Sequence, residues 1–195
     1  MSTNREVKFD HILDAAIEAI AESGYHQCTV SRIAALAGVA TGTIYLYFKN
    51  KEEILIRLFQ VRMGQFIERI RSQLVHCANT RERLKTIITM HLSYMEQNRS
   101  LAIVTEIELR QSDPRVRQAV TEPLMQYFSL IEEVIRQGIE KEEVVVPYVR
   151  VARQMIFGAL EQATTDWVWS GGQKPLLGEA EEMLQLFAGA LRLKE

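Results

Sequence analysis

Apolar residues recur at helical spacing from one end of this chain to the other, and that period predicts an all-α fold. Leu13, Ala16, Ile17 and Ile20 fall at i, i+3, i+4 and i+7, and Gly24 directly after Ser23 stops the pattern, which predicts a first helix over about residues 8–23. Thr29 then stands as the cap of a brief apolar helix carrying Ile33, Ala34 and Ala37 and ending at Gly38, after which Thr41 opens a second short helix that ends near Tyr47. Two short helices joined by a tight glycine-containing turn form the helix-turn-helix pattern. From Lys51 a long helix follows, with Leu55, Leu58, Phe59, Phe66, Ile70 and Leu74 on connected faces, long enough to leave a small N-terminal unit and enter a second domain.

The same period continues through Leu84, Ile87, Ile88, His91 and Met95 until Asn98 to Ser100 interrupt it, and a shorter helix follows through Leu101, Val104, Glu108 and Arg110. Pro114 sits at a permitted first-turn position of the next helix, which carries Leu124, Tyr127, Phe128, Ile131 and Ile135 and ends near Gly138 or in the charged run Glu140 to Glu143. Val144 to Val146 are too few to be a strand and read as loop. Pro147 begins another helix through Met155, Phe157, Leu160 and Trp167, stopped by Gly171 and Gly172, and a last helix is expected over about residues 175–193. The reading is about nine helices in two domains, residues 1–55 with the helix-turn-helix and residues 56–195 beyond it.

Composition narrows the function classes. A hydrophobic fraction of 47% with 25% charged residues describes a folding, globular chain, and no apolar run approaches the roughly 20 residues that cross a bilayer. With a polar start over Met1 to Asp10, a cytoplasmic protein without membrane attachment is expected. Cys28 and Cys77 stand far apart and without ligand-spaced neighbours, so neither a disulfide framework nor a metal site is expected. His11, His26, His76 and His91 have no metal-ligand or triad-like setting, and no glycine-rich phosphate loop occurs, so neither catalysis nor a cofactor is expected.

A net charge of −2 means that any DNA binding has to come from a local patch. One exists. Between Gly24 and Lys51 there is no acidic residue, while Arg32, Lys49 and Lys51 gather there with the donors Thr29, Ser31, Thr41, Thr43, Tyr45 and Tyr47. Cations supply salt-sensitive affinity for phosphates, and hydroxyls supply positioning bonds to the backbone. The small residues Ala40, Thr41, Gly42 and Thr43 allow the second short helix to approach base edges closely. Tyr45 and Lys49 share a face and are expected to meet DNA with Thr41, Thr43 and Tyr47, whereas Ile44 and Phe48 are expected to pack with Ile33 and Ala34.

The stretch TVSRIAALAGVATGTIYLYFKNKEEIL (residues 29–55), with ILDAAIEAIAESGY upstream, resembles the DNA-binding signature of the TetR family of transcriptional regulators over about the first 60 residues. Ala40 departs from the serine common at that place, which leaves Thr41 to supply a cap. The resemblance implies a ligand-responsive repressor whose C-terminal helices form a ligand pocket and a dimer interface. The segments AIVTEIELRQSDPRVRQ (102–118) and RQMIFGALEQATTDWV (153–168), with YLYFKNKEEIL and MGQFIERI, are similar to the acyl-CoA-responsive, FadR-type members that repress fatty-acid degradation genes.

A long acyl chain needs an apolar tunnel, and that likeness implies one lined by Ile87, Met90, Tyr94, Met95, Ile103, Val104, Ile107, Phe128, Ile131 and Phe157. Arg110, Arg115, Arg117 and Arg153 are the candidates to meet coenzyme A phosphates at its mouth. Glu106 and Arg110, at i and i+4, suit a helix-surface ion pair, and Glu161 reads either as an interface group or as a pocket group. The last two helices, with Phe157, Leu160, Thr164, Trp167, Met183, Phe187, Ala190 and Leu191, have apolar surface for a homodimer. A two-fold dimer sets its recognition helices roughly 34–36 Å apart on a palindromic operator. Ligand is then expected to swing the long helix at residues 51–77 and carry the heads to the wrong separation. The competing readings are a TetR-type repressor of another hydrophobic ligand, such as a drug or metabolite, and a helical enzyme or interaction module; the last explains the apolar stripes but not the acid-free window.

Overall fold

The computed structural model describes residues 4–108, 114–146 and 148–194. Among them the chain forms nine α-helices, one π-helical turn and one 3-10 turn, with no strand. Residues group into two compact units, Met1–Met63 with Ser100–Glu122, and Gly64–Arg99 with Pro123–Glu195.

In the first unit, α1 (Asn4–Ser23) buries Ile12, Leu13, Ala15, Ala16, Ile17, Ala19 and Ile20. It begins about a turn before the expected Lys8, because residues 4–8 are all exposed and so add nothing to the apolar periodicity. Gly24, at φ +77°, ends it by returning its N–H to the Ile20 carbonyl at 2.8 Å. Helix α2 (Val30–Leu36) is capped as expected, with the Thr29 hydroxyl accepting from the Arg32 N–H at 3.1 Å. Gly38, at φ +64°, makes the turn that the left-handed region reserves for glycine, and α3 (Thr41–Ile44) follows. Its cap position is Ala40, in extended conformation and without a side-chain hydrogen bond, so Thr41 does not supply the missing cap.

Helix α4 (Lys51–Leu74) starts with reciprocal capping. The Asn50 side chain accepts from the Glu53 N–H at 2.8 Å while the Glu53 carboxylate accepts from the Lys49 N–H at 2.7 Å. The short α6 (Arg99–Ile103) passes into a π-helical turn at Val104–Glu108. Arg110, expected both as a ligand residue and as the partner of Glu106, lies outside the described residues, as does the side chain of Ile107. Glu106 is buried.

In the second unit, α5 (Thr80–Gln97), the body of α7 (Pro114–Glu140), α8 (Val149–Trp169) and α9 (Ala180–Leu191) enclose Leu84, Ile87, Ile88, Leu130, Ile131, Ile156, Leu160 and Leu184. Helix α7 runs past Gly138 to Glu140 and keeps Pro123 inside it. Gly138 is there for close approach, since a Cβ at that position would stand 2.6 Å from the Thr80 Oγ1. Thr80 in turn donates its N–H at 2.7 Å and its hydroxyl at 2.6 Å to the Glu143 carboxylate, tying the start of α5 to the loop after α7. Gly171 and Gly172 end α8 as expected, at φ +79° and +72°. The expected last helix opens as a 3-10 turn at Leu176–Glu179 and becomes α-helical only at Ala180.

Candidate DNA-binding head and effector core

The head is built on α1. Ile33 and Ala34 of α2, Ile44 of α3 and Phe48 are buried, and Phe9 of α1 stacks on Phe48 with ring centres 5.2 Å apart. This fixes which residues turn outward. Ser31, Arg32, Ala40, Gly42, Tyr45 and Lys49 are exposed, Thr41 and Thr43 half-buried. Tyr45 stands 55% exposed just after the last turn of α3.

Three expectations change in detail. Lys51 does not present its charge outward: its ammonium donates to the carbonyls of Tyr25 at 2.6 Å, Cys28 at 2.9 Å and His26 at 3.1 Å, and lies over the Tyr25 ring. It satisfies the chain that leaves α1 instead of a phosphate. Tyr47 is half-buried between Phe9 and Phe48, with the Arg5 guanidinium 5.8 Å from its ring centre. The acid-free window is not acid-free in space, because Glu22 of α1 reaches Arg32 at 2.9 Å, an exposed pair that water and salt weaken. Arg5 and Glu22 escaped notice because each joins the patch from a helix face outside it.

In the second unit six rings form one continuous cluster. Phe66 of α4 stacks on Tyr94 of α5 at 4.8 Å and meets Tyr127 of α7 edge-on at 5.6 Å. Tyr127 meets Phe157 of α8 at 6.0 Å, and Phe157 meets Phe128 at 4.7 Å. Arg153, ion-paired with Glu132 at 3.4 Å, covers the Phe128 ring at 4.2 Å. Of the residues expected to line an acyl tunnel, Tyr94, Phe128 and Phe157 belong to this cluster, and Ile87, Met95 and Ile131 are buried in the same unit. Met90 is half-buried there. Ile103 and Val104 belong to the other unit, as do Arg115 and Arg117, both exposed, with Arg115 at 4.0 Å from Glu52.

The cluster also holds a polar pair that sequence reading passed over. His91 Nδ1 lies 3.1 Å from the Tyr127 hydroxyl, both side chains fully enclosed. Burial holds the His91 pKa down at about 4 and pushes that of Tyr127 up, so the imidazole is neutral and the phenol protonated. His91 read as one more position in an apolar stripe, and nothing local marks Tyr127 as its partner.

Two surface pockets open on this unit, one of ≈ 260 Å³ between Arg71, Arg83 and Gln137 and one of ≈ 450 Å³ beside Glu143 and Lys194. Neither includes a residue expected to line the tunnel. Of the residues expected at the dimer face, Leu160, Thr164, Trp167, Phe187 and Leu191 are buried within the chain, Phe157 and Met183 are half-buried and Ala190 is exposed, while Val151 and Trp169 of α8 and Leu186 of α9 stand 58%, 71% and 71% exposed. Apolar spacing located both helices but could not tell the face their own core takes from the face left over. Glu161 is half-buried on α8.

Comparison with known proteins adds to this geometry. Residues 12–58 match the family described as bacterial regulatory proteins, tetR family, and residues 59–190 match the YsiA-like protein C-terminal region. The chain is 45% identical over 188 residues to the fatty acid metabolism regulator protein of Bacillus subtilis, covering 96% of this chain and 97% of that one. Its structure is similar to the crystal structure of the transcriptional regulator FadR of B. subtilis in complex with stearoyl-CoA, at TM-score 0.89 and 46% identity over 92% of this chain and 97% of that one. It is equally similar to the fatty acid degradation regulator FadR of Bacillus halodurans, at TM-score 0.90 and 45% identity over 94% and 100%.

Proposed function

The chain belongs to the tetR family of bacterial regulatory proteins, and from that premise we propose that it represses fatty-acid degradation genes, binding palindromic operator DNA as a homodimer that long-chain acyl-CoA releases. Its relatives are regulators and not enzymes. The observation that carries the reading is identity of 45–46% over nearly the whole of both chains to regulators of fatty-acid metabolism, one of them solved with stearoyl-CoA. Acting on DNA, the protein works in the cytoplasm, and no helix among the described residues is long and apolar enough to cross a membrane.

In this reading Ser31, Arg32, Thr41, Thr43, Tyr45 and Lys49 face the operator, with the small residues Ala40 and Gly42 allowing close approach to the bases. Thr29 caps α2, and Lys51 fastens the start of α4 to the chain leaving α1. The effector's apolar chain enters the second unit among the aromatic cluster and its aliphatic neighbours Ile87, Met95 and Ile131. Release requires that the effector bind one conformation better than the other, since equal affinity for both shifts nothing. Helices α4 and α7 each contribute residues to both units.

Native mass spectrometry of the purified protein tests ligand class and assembly together. A dimer that carries or takes up stearoyl-CoA supports the reading; a monomer that takes up none contradicts it.

A further inference from the structure

One atom in the effector unit is out of keeping with its surroundings. His91 is 3% exposed, its ring is stacked on Tyr127 and edge-on to Phe66, and its Nδ1 is paired with the Tyr127 hydroxyl, yet its Nε2 is buried without a hydrogen-bond partner among the described residues. Leaving a buried donor or acceptor unmet costs about 1–3 kcal/mol; the bond to Tyr127 accounts for Nδ1 and leaves that cost standing at Nε2.

The protonation pattern says what this atom offers. Burial keeps the imidazole neutral, with a single N–H, and keeps the Tyr127 hydroxyl protonated. When the Tyr127 hydroxyl donates to Nδ1, the ring proton sits on Nε2, and the pair presents one N–H donor in an apolar setting. The matching ligand atom is a lone neutral acceptor attached to an apolar chain. Among the described residues the guanidiniums at the ring cluster are engaged away from Nε2, Arg69 over Tyr94 and Arg153 over Phe128 and paired with Glu132, so a neutral acceptor matches this donor better than a carboxylate.

We infer that His91 Nε2 donates a hydrogen bond to the thioester carbonyl oxygen of the bound acyl-CoA, with Tyr127 fixing the tautomer that makes the donation possible. The inference rests on the acyl-CoA reading above and adds its specificity determinant. The acyl chain supplies area and the carbonyl supplies register, so the site distinguishes a thioester from an equally apolar ligand of the same length. The cost of the unmet Nε2 in the free protein becomes part of the preference for ligand.

Stearoyl-CoA and its thioether analogue S-octadecyl-CoA, which lacks the carbonyl, separate the two ideas when titrated into the full-length protein by calorimetry. The wild-type protein is expected to prefer the thioester by about tenfold, the scale of one buried hydrogen bond. His91→Phe is expected to bind both alike, losing thioester affinity and keeping thioether affinity. Tyr127→Phe keeps the ring and removes the hydroxyl, so it narrows the preference, and it serves if His91→Phe does not fold. Equal and tight binding of the two ligands by the wild-type protein overturns the role of His91 and leaves the acyl-CoA reading intact. An unchanged preference in both variants overturns it as well. Failure of the wild-type protein to bind either ligand overturns the acyl-CoA reading itself.

Discussion

Lys51 sets its ammonium nitrogen 2.6 Å from the Tyr25 carbonyl oxygen and 4.5 Å from the centre of the Tyr25 ring, so the first residue of α4 is fastened to the chain leaving α1. A sheltered hydrogen bond to a charged donor is worth about 1.5–3 kcal/mol; this donor makes three, but it is half-buried and water competes for each, which lowers their sum. Lys51→Met is therefore expected to destabilise the head by about 2 kcal/mol, read as a lowered midpoint in urea unfolding. An unchanged midpoint contradicts the structural role.

Lys49 is the contrasting case. Its side chain is exposed, and its backbone N–H is held by Glu53. Lys49→Ala is expected to leave stability within about 0.5 kcal/mol of wild type. It should flatten the slope of log affinity against log salt by about one for each head that contacts DNA. A weakened affinity with an unchanged slope would show that Lys49 does not meet a phosphate.

Two groups make stability fall toward acid, in different windows. His91 has its pKa depressed by burial from 6.5 to about 4, so its contribution is whole above pH 6.5 and is lost as pH falls from there toward 4. Glu143 is held below its ordinary value of 4.5 chiefly by the Thr80 hydroxyl and N–H, so its contribution is whole above that pH and is lost below it. Between pH 7 and 5 the wild-type protein should lose more stability than His91→Phe. The shortfall of Thr80→Val against wild type should hold from pH 7 to 5 and shrink below about 4.5. Parallel curves for all three proteins contradict both assignments.

Much of the fold was legible because helix periodicity and glycine stops are local signals. Thr29 capping α2, Gly38 turning into α3 and Gly171 and Gly172 ending α8 all follow from neighbours within a few residues. What escaped reading involves partners distant in sequence. Lys51 counts as a cation in the DNA window until the Tyr25, His26 and Cys28 carbonyls are seen around it, and Glu22 adds an acid to that window from α1. His91 and Tyr127, 36 residues apart, look like two ordinary positions on two apolar stripes. The start of α1 escaped for the opposite reason, as residues 4–8 bury nothing and so carry no period.

The exposed apolar residues of α8 and α9 give the dimer a test. Leu186 is 71% exposed, whereas Phe187 beside it is 4% exposed. Leu186→Lys is expected to weaken the homodimer at unchanged helix content, by sedimentation velocity. Phe187→Lys is expected to unfold the protein, since it buries a charge in the core. A Leu186→Lys dimer as tight as wild type places the interface elsewhere.

The central claim is that a long-chain acyl-CoA releases this protein from its operator. Fluorescence anisotropy of an operator fragment, selected by the protein from random DNA and titrated with stearoyl-CoA, measures that directly. The account predicts that operator binding is lost as stearoyl-CoA saturates the protein and is unaffected by free coenzyme A; undiminished operator affinity at saturating stearoyl-CoA would contradict it.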